Sequence, residues 1–227
     1  MPALANSQPA AAAARAAVEA ASAAGLTVSC DLNFRKKLWN WQPGTGTVDL
    51  ARETMRGLMP FINVVIANEE DCDLCLGIQA GETDVEAGHL NVAAYESVAR
   101  QIVSDFPNVD TVAITLRESL SASHNNWGAM LLDASNDTAH FAPLNDQGEY
   151  QPYEIHNIVD RVGAGDSFAG GLIFALTTPE LAAPETALRY ATAASCLKHS
   201  IKGDFSYAER SEIEALMGGA TSGRVSR

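Results

Sequence analysis

The run IVDRVGAGDSFAGG, residues 158–171, places two aspartates around a glycine-rich turn. Asp160 closes an apolar stretch, Gly163, Ala164 and Gly165 follow, and Asp166 stands where an apolar pattern at helical spacing begins. Glycines leave backbone amides unobstructed, and a helix N-terminus carries about half a positive charge. The amides of 163–166 can therefore face an anion, and a phosphoryl group gaining negative charge would be stabilised there with little reorganisation. Asp166 has the type and place of a general base that takes a proton from an attacking hydroxyl. The same acid is also an ordinary helix cap, and the motif alone favours the cap. Two features tilt the balance toward chemistry. Gly170 and Gly171 cost their helix about 1 kcal/mol each relative to alanine, so something must approach closely there. Asp160 ends the preceding strand and faces the same edge.

Three further polar segments follow directly on β-type runs: DLNFR from residue 31, NEED from 68 and TLRES from 115. Open α/β sheets bind ligands beyond the carboxyl ends of their strands, so these segments and the glycine turn would share one edge. The elements that must position them alternate. A helix over about 9–24, stopped by Gly25, precedes the β-rich LTVSCDLN. A loop, FRKKLWNWQPGTGT, and the helix VDLARETMRGLM come next. FINVVIANEED is a buried-type strand ending in acids, with a short helix through Leu76 and a loop, GETDVEAGH, behind it. A helix over 91–106, a strand over 110–119 and a hairpin around DASND follow. EIHNIVD is a further strand, with helices after it at 165–178, from Pro184, and in the tail. Alternating strands and helices imply βαβ units, a doubly wound and mostly parallel sheet flanked by helices, and one domain over 1–227.

The formal charge of −13 argues against a nucleic-acid partner, and the only compact basic cluster is RKK at 35–37. No apolar run reaches the length of a membrane span, so a soluble, cytoplasmic protein is expected. Four cysteines in 227 residues do not make a disulfide framework. CDLC, residues 72–75, lacks the second pair of a zinc site and reads better as helix positions than as a redox or metal motif. A homo-oligomer is left open.

IVDRVGAGDSFAGG resembles the signature of ribokinase-like (PfkB) carbohydrate kinases, an aspartate-x-x-glycine-alanine-glycine-aspartate run before a helix. The resemblance implies that Asp166 is the catalytic base and that Gly163, Ala164 and Gly165 form the anion hole. It also implies that Asp160 lies near a monovalent cation, K+ being the candidate, and that ATP and Mg2+ are required. NEED resembles the family's N-x-x-E element for magnesium and phosphate. Asn68 matches, whereas Asp71 stands where glutamate is usual, which implies a contact to Mg2+ through water. From the residues alone NEED is equally a helix N-terminus whose acids complement the dipole. TLRES stands where the family has threonine, a small residue and glycine before the nucleotide loop. Thr115 then falls at the ATP site, and Arg117 is either a cation near the phosphates or a solvated surface residue.

DLNFRKKLW resembles the D-x-N-x-R-x-x-L-W element of the members that phosphorylate 2-keto-3-deoxygluconate. Asn33 and Arg35 would then bind the sugar acid, since a guanidinium fork suits both a carboxylate and a phosphate. LKHSIKGDF is similar to a stretch that borders adenine at Leu197 and supplies an acid, Asp204, near the substrate. Trp39 and Trp41 either line the site or pack in core and loop. The resemblance covers nearly the whole chain, and SGRVSR looks like the family's natural end. Members usually have a first third that supplies early strands, sugar contacts and a small β-sheet lid. The expectation is therefore a kinase lacking that portion, weak toward Mg-ATP and poor in turnover. The alternatives are another sugar kinase of the family, of fructokinase or ribokinase type, and a non-catalytic nucleotide-binding remnant.

Overall fold

The structure, a computed structural model, describes residues 6–79 and 92–219. The expected loop at 81–89 and the closing SGRVSR lie outside them. The chain divides into two compact units, Met1–Ile114 with Leu132–Ala139, and Thr115–Leu131 with His140–Arg227.

In the first unit, α1 (Gln8–Ala23) is capped by Ser7, whose hydroxyl accepts the Ala10 amide, with Pro9 in its first turn. It stops as expected at Gly25, φ 71°. The Gly25 amide bonds to Ser22 and the Leu26 amide to Ala21, the left-handed cap that glycine permits. The β-rich run that follows forms the short strand β1 (Ser29–Asp31), flanked by backbone bonds at Val28 and Leu32. β1 runs parallel to β2 (Val64–Asn68) in the register Ser29 to Val64 and Asp31 to Ile66. β2 is buried through Ala67, as a strand covered on both faces must be. Between them lie α2 (Thr47–Leu58) and a short 3-10 turn, Met59–Phe61. α3 (Glu69–Leu76) leaves β2 directly and ends at Gly77, φ 71°. α4 (Val92–Asp105) leads to β3 (Thr111–Ser119), the next neighbour of β2. The Asp133 carboxylate accepts the amides of Ser135 and Asn136 and so shapes the expected DASND turn.

In the second unit β4 (His124–Asp133) lies between β3 and β5 (Thr138–Ala142), and β6 (Tyr153–His156) pairs antiparallel with β4. The α/β expectation holds with a mixed sheet, because the connections at 120–123 and 134–137 are too short for the crossover that parallel neighbours need. The expected strand 154–160 stops at His156, because Asn157 turns into the left-handed region at φ 59°.

α5 (Ala164–Leu176) packs along α6 (Pro184–Lys198), and α7 (Arg210–Met217) opens with a Glu209–Glu212 capping box. A Cβ on Gly171 would lie 3.2 Å from the Ala191 Cα, so one of the two adjacent glycines admits α6. Each helix also sends a serine to the other's backbone. Ser167 Oγ donates to the Ala194 carbonyl at 3.1 Å, and Ser195 Oγ to that of Ala164 at 2.7 Å. These two bonds fix the start of α5. Among the described residues no helix is long and apolar enough to cross a membrane.

Candidate functional site

The glycine turn lies wholly in the second unit. Gly163 is the N-cap residue of α5 at φ 79°, and no side chain caps the helix. A Cβ there would fall 2.3 Å from the Asp204 carbonyl oxygen and 3.2 Å from Lys198 Cε. Gly163 is thus required by the chain itself. Gly165 is not, since nothing lies within 4 Å of a Cβ placed on it and its φ is outside the left-handed region. Within the first turn, the Ala164 amide reaches the Arg161 carbonyl and the Ser167 amide closes the first helical bond onto Gly163. The amides of Gly165 and Asp166 fall among the first-turn donors a helix cannot satisfy internally. Asp166, in that first turn, is exposed and has no hydrogen-bond partner among the described residues. It does not cap its helix.

Asp160 holds the turn from below. One carboxylate oxygen accepts the Val162 amide at 3.0 Å and the other the Gly203 amide at 2.9 Å. These bonds, followed by the charge of Lys198, keep its carboxyl below the usual carboxylate range. The backbone of 159 and 160 is tied to the His199 carbonyl, and Arg161 donates to the carbonyls of Ser121 and Ala122. Lys198 is fully buried, with Nζ donating to the Ile201 carbonyl at 2.9 Å. A buried ammonium must be hydrogen-bonded to be tolerated, and that carbonyl provides its bond while its charge acts on Asp160. Lys198 and His199 were not among the residues singled out in the sequence. Their signal was present, because Ala187, Ala191, Ala194 and Lys198 share one buried stripe of α6.

The structure therefore brings Asp160, Gly163, Ala164, Gly165, Asp166 and the Asp204 backbone together. The Asp204 side chain is exposed, and Leu197 lies half-buried on α6. Thr115 is half-buried and Arg117 exposed on β3, and neither side chain makes a hydrogen bond among the described residues. Gly170 has nothing within 4 Å of a Cβ.

In the first unit Asn68 caps α3, its side chain accepting the Asp71 amide at 2.8 Å. Asp71 is buried, and its Oδ1 accepts the Phe34 amide at 2.8 Å. Burial, opposed by hydrogen bonds from the Phe34 and Asn68 backbones and by the charge of Arg35, holds its carboxyl above the usual range. Asp71 thereby anchors the turn in which Asn33 takes φ 40° and Arg35 is exposed beside Lys36 and Lys37. Trp39 is buried in this unit and Trp41 half-buried. Cys72 and Cys75 are buried free thiols, Cys75 pushed up to about 12 by burial, so CDLC consists of helix positions with unreactive sulfur.

An α/β sheet with a glycine turn feeding a helix, and an acid beside open amides, defines a class that comparison with known proteins makes specific. Residues 132–206 match the pfkB family of carbohydrate kinases. The chain is 28% identical over 206 residues to a 2-dehydro-3-deoxygalactonokinase of Haloferax volcanii, covering 91% of this chain and 52% of that one. It superposes on a 2-dehydro-3-deoxygluconokinase structure from Thermotoga maritima with 42% identity and a TM-score of 0.74, over 90% of this chain and 54% of that one. A fructokinase from Vibrio cholerae, solved with fructose, ADP and calcium ion bound, shares the fold at 23% identity and a TM-score of 0.64, over 95% and 58%. The chain spans about half the length of these relatives.

Proposed function

We propose that this chain is the phosphoryl-transfer portion of an ATP-dependent kinase acting on a 2-keto-3-deoxy sugar acid, 2-keto-3-deoxygluconate foremost. The start of α5 carries the proposal, with open amides at Gly165 and Asp166 and an exposed aspartate that caps nothing. In the proposed step Asp166 accepts the proton of the sugar's terminal hydroxyl as its oxygen attacks the γ-phosphorus of ATP. A new oxygen–phosphorus bond forms, the bond to the β–γ bridging oxygen breaks, and its electron pair leaves with ADP. Gly163, Ala164 and Gly165 shape the anion hole, whose donors gain value as charge grows on the transferred group.

Arg35 and Asn33 are proposed to bind the sugar acid, joined by Asp204, and Asn68, Thr115, Arg117 and Leu197 to serve ATP. The likeness to two relatives named for 2-keto-3-deoxy sugar acids supports an acid over a neutral sugar. Magnesium fits Asp71 only through water, because the buried carboxylate already accepts backbone hydrogen bonds from Phe34 and Asn68. When bound it supplies charge neutralisation on the phosphates. K+ is proposed beside Asp160, whose oxygens each accept one amide and retain acceptor capacity.

A coupled ADP-release assay with 2-keto-3-deoxygluconate, its galactonate epimer, fructose and ribose tests the reading, with calorimetry of Mg-ATP on the same chain. Release with the acids and not with the neutral sugars is expected. Equal release with fructose would move the substrate class, and absence of nucleotide binding would overturn the proposal.

A further inference from the structure

Away from the glycine turn, the β4–β6 pair of the second unit gathers three metal-ligating side chains on one face. His124 and His156 are direct cross-strand partners in the antiparallel ladder, with imidazole centroids 4.1 Å apart. Glu154 precedes His156 by two residues and so projects to the same side of β6. The ligand atoms of all three lie within 4.8 Å of one another. His156 Nε2 and Glu154 Oε2 are already 3.3 Å apart. That separation is the edge of a tetrahedron around zinc, about 3.4 Å for metal–ligand bonds near 2.1 Å. His124 Nε2 is shielded from solvent and has no hydrogen-bond partner among the described residues.

We propose that His124, Glu154 and His156 form a binding site for a late first-row divalent cation, zinc being the natural occupant. Two imidazoles and one carboxylate suit zinc and its neighbours and not magnesium, which prefers oxygen ligands and keeps its water. Three protein ligands leave the fourth position to solvent. The two imidazoles lie tilted at 41° to one another on adjacent strands, and a shared cation turns that closeness into a bond. The unpaired His124 nitrogen gains a partner, and the exposed His156–Glu154 pair, worth little alone, gains a centre.

The site also has a mechanical position. His156 leads through Asn157 and Ile158 into Asp160, and the Ile158 amide is bonded to the Ser123 carbonyl beside His124. The His124 carbonyl accepts the amides of Leu120 and Ser121, and Arg161 holds the Ser121 and Ala122 carbonyls. An ion on the three side chains therefore clips β6 to β4 at the point where the chain enters the Asp160 turn.

Calorimetric titration of the chelator-treated 227-residue chain with Zn2+ tests the site, with Co2+ absorption as reporter. One equivalent of Zn2+ is expected, with visible Co2+ bands of a four-coordinate centre that a large excess of Mg2+ leaves in place. His156→Asn and Glu154→Gln remove exposed side chains and leave folding intact by circular dichroism. Each should weaken zinc at least about tenfold, the least that losing even an outer-shell partner costs. No zinc uptake by the wild-type chain, or the same uptake in both variants, would overturn the proposal.

Discussion

Alanine at Gly163 and alanine at Gly165 should have opposite effects, although the two positions are two residues apart. At Gly163 the new Cβ would stand 2.3 Å from a backbone carbonyl oxygen, that of Asp204, at a φ of 79°. An L-residue in the left-handed region costs about 1–2 kcal/mol. Relieving the contact requires a backbone shift, and overpacking of that kind costs about 1–3 kcal/mol. Gly163→Ala is therefore expected to lose roughly 2–5 kcal/mol, a large share of the 5–15 kcal/mol typical of a folded protein. Its melting temperature should fall by on the order of 10 °C. At Gly165 the same methyl meets nothing in the chain, and removing a glycine there should stabilise by about 0.4–1 kcal/mol. The methyl would instead occupy the approach to the Gly165 and Asp166 amides. A charge-assisted hydrogen bond is worth about 1.5–3 kcal/mol, so Mg-ADP affinity should drop roughly 10- to 150-fold. Urea unfolding and nucleotide calorimetry on both variants separate the two effects. Unchanged Mg-ADP affinity in a well-folded Gly165→Ala would show that no ligand approaches that glycine.

Three further outcomes are expected. Asp166→Asn should lower kcat by about 100- to 10,000-fold with Mg-ATP affinity nearly unchanged, and a variant within threefold of wild type would remove the base from the proposal. Arg35→Leu should weaken use of the sugar acid more than of a neutral ketose, by about 2–3 kcal/mol in kcat/KM, and equal losses on both would assign Arg35 to ATP. His199 supplies the pH dependence: burial, reinforced by Arg161 and Lys198 and opposed by the Nδ1 bond to the Ser195 carbonyl, holds its imidazole below the usual 6.5. Below pH 6.5 the unfolded chain binds a proton that the folded unit resists, so stability is lost on acidification, and His199→Gln should flatten the thermal-melting profile between pH 7 and 5.

Much of the fold was legible because the deciding interactions are local. α1 ends where Gly25 allows the left-handed cap, and the DASND turn forms because Asp133 reaches amides two and three residues on. Where the reading overshot, a distant or conformational feature decided. LTVSCDLN carries β-formers throughout, yet its register with β2 runs only from Ser29 to Asp31, with backbone bonds at Val28 and Leu32 on either side. EIHNIVD stops pairing at a single left-handed asparagine, and beyond it the amides of 159 and 160 go to His199, some forty residues further along the chain. Those bonds have no sequence pattern.

The site shows the same division more sharply, because GAGD presents two glycines that look alike and exist for different reasons. The cause of Gly163 lies in the Asp204 carbonyl and the buried Lys198, neither of which the motif contains. Gly171 likewise answers to Ala191 on α6, so part of the suspicion that the GG pair admits a ligand is met by helix packing instead. Gly165 and Gly170 remain, with no contact within the described residues that would exclude a side chain. A glycine in a helix carries a conformational cost of about 1 kcal/mol, and neither of these positions recovers it through internal packing. Under the proposed function the recovery at Gly165 comes from the bound phosphate, at the end of the helix where the amides are open and the dipole is positive. The unexplained glycine, more than the aspartate beside it, is what separates an anion site from a capped helix.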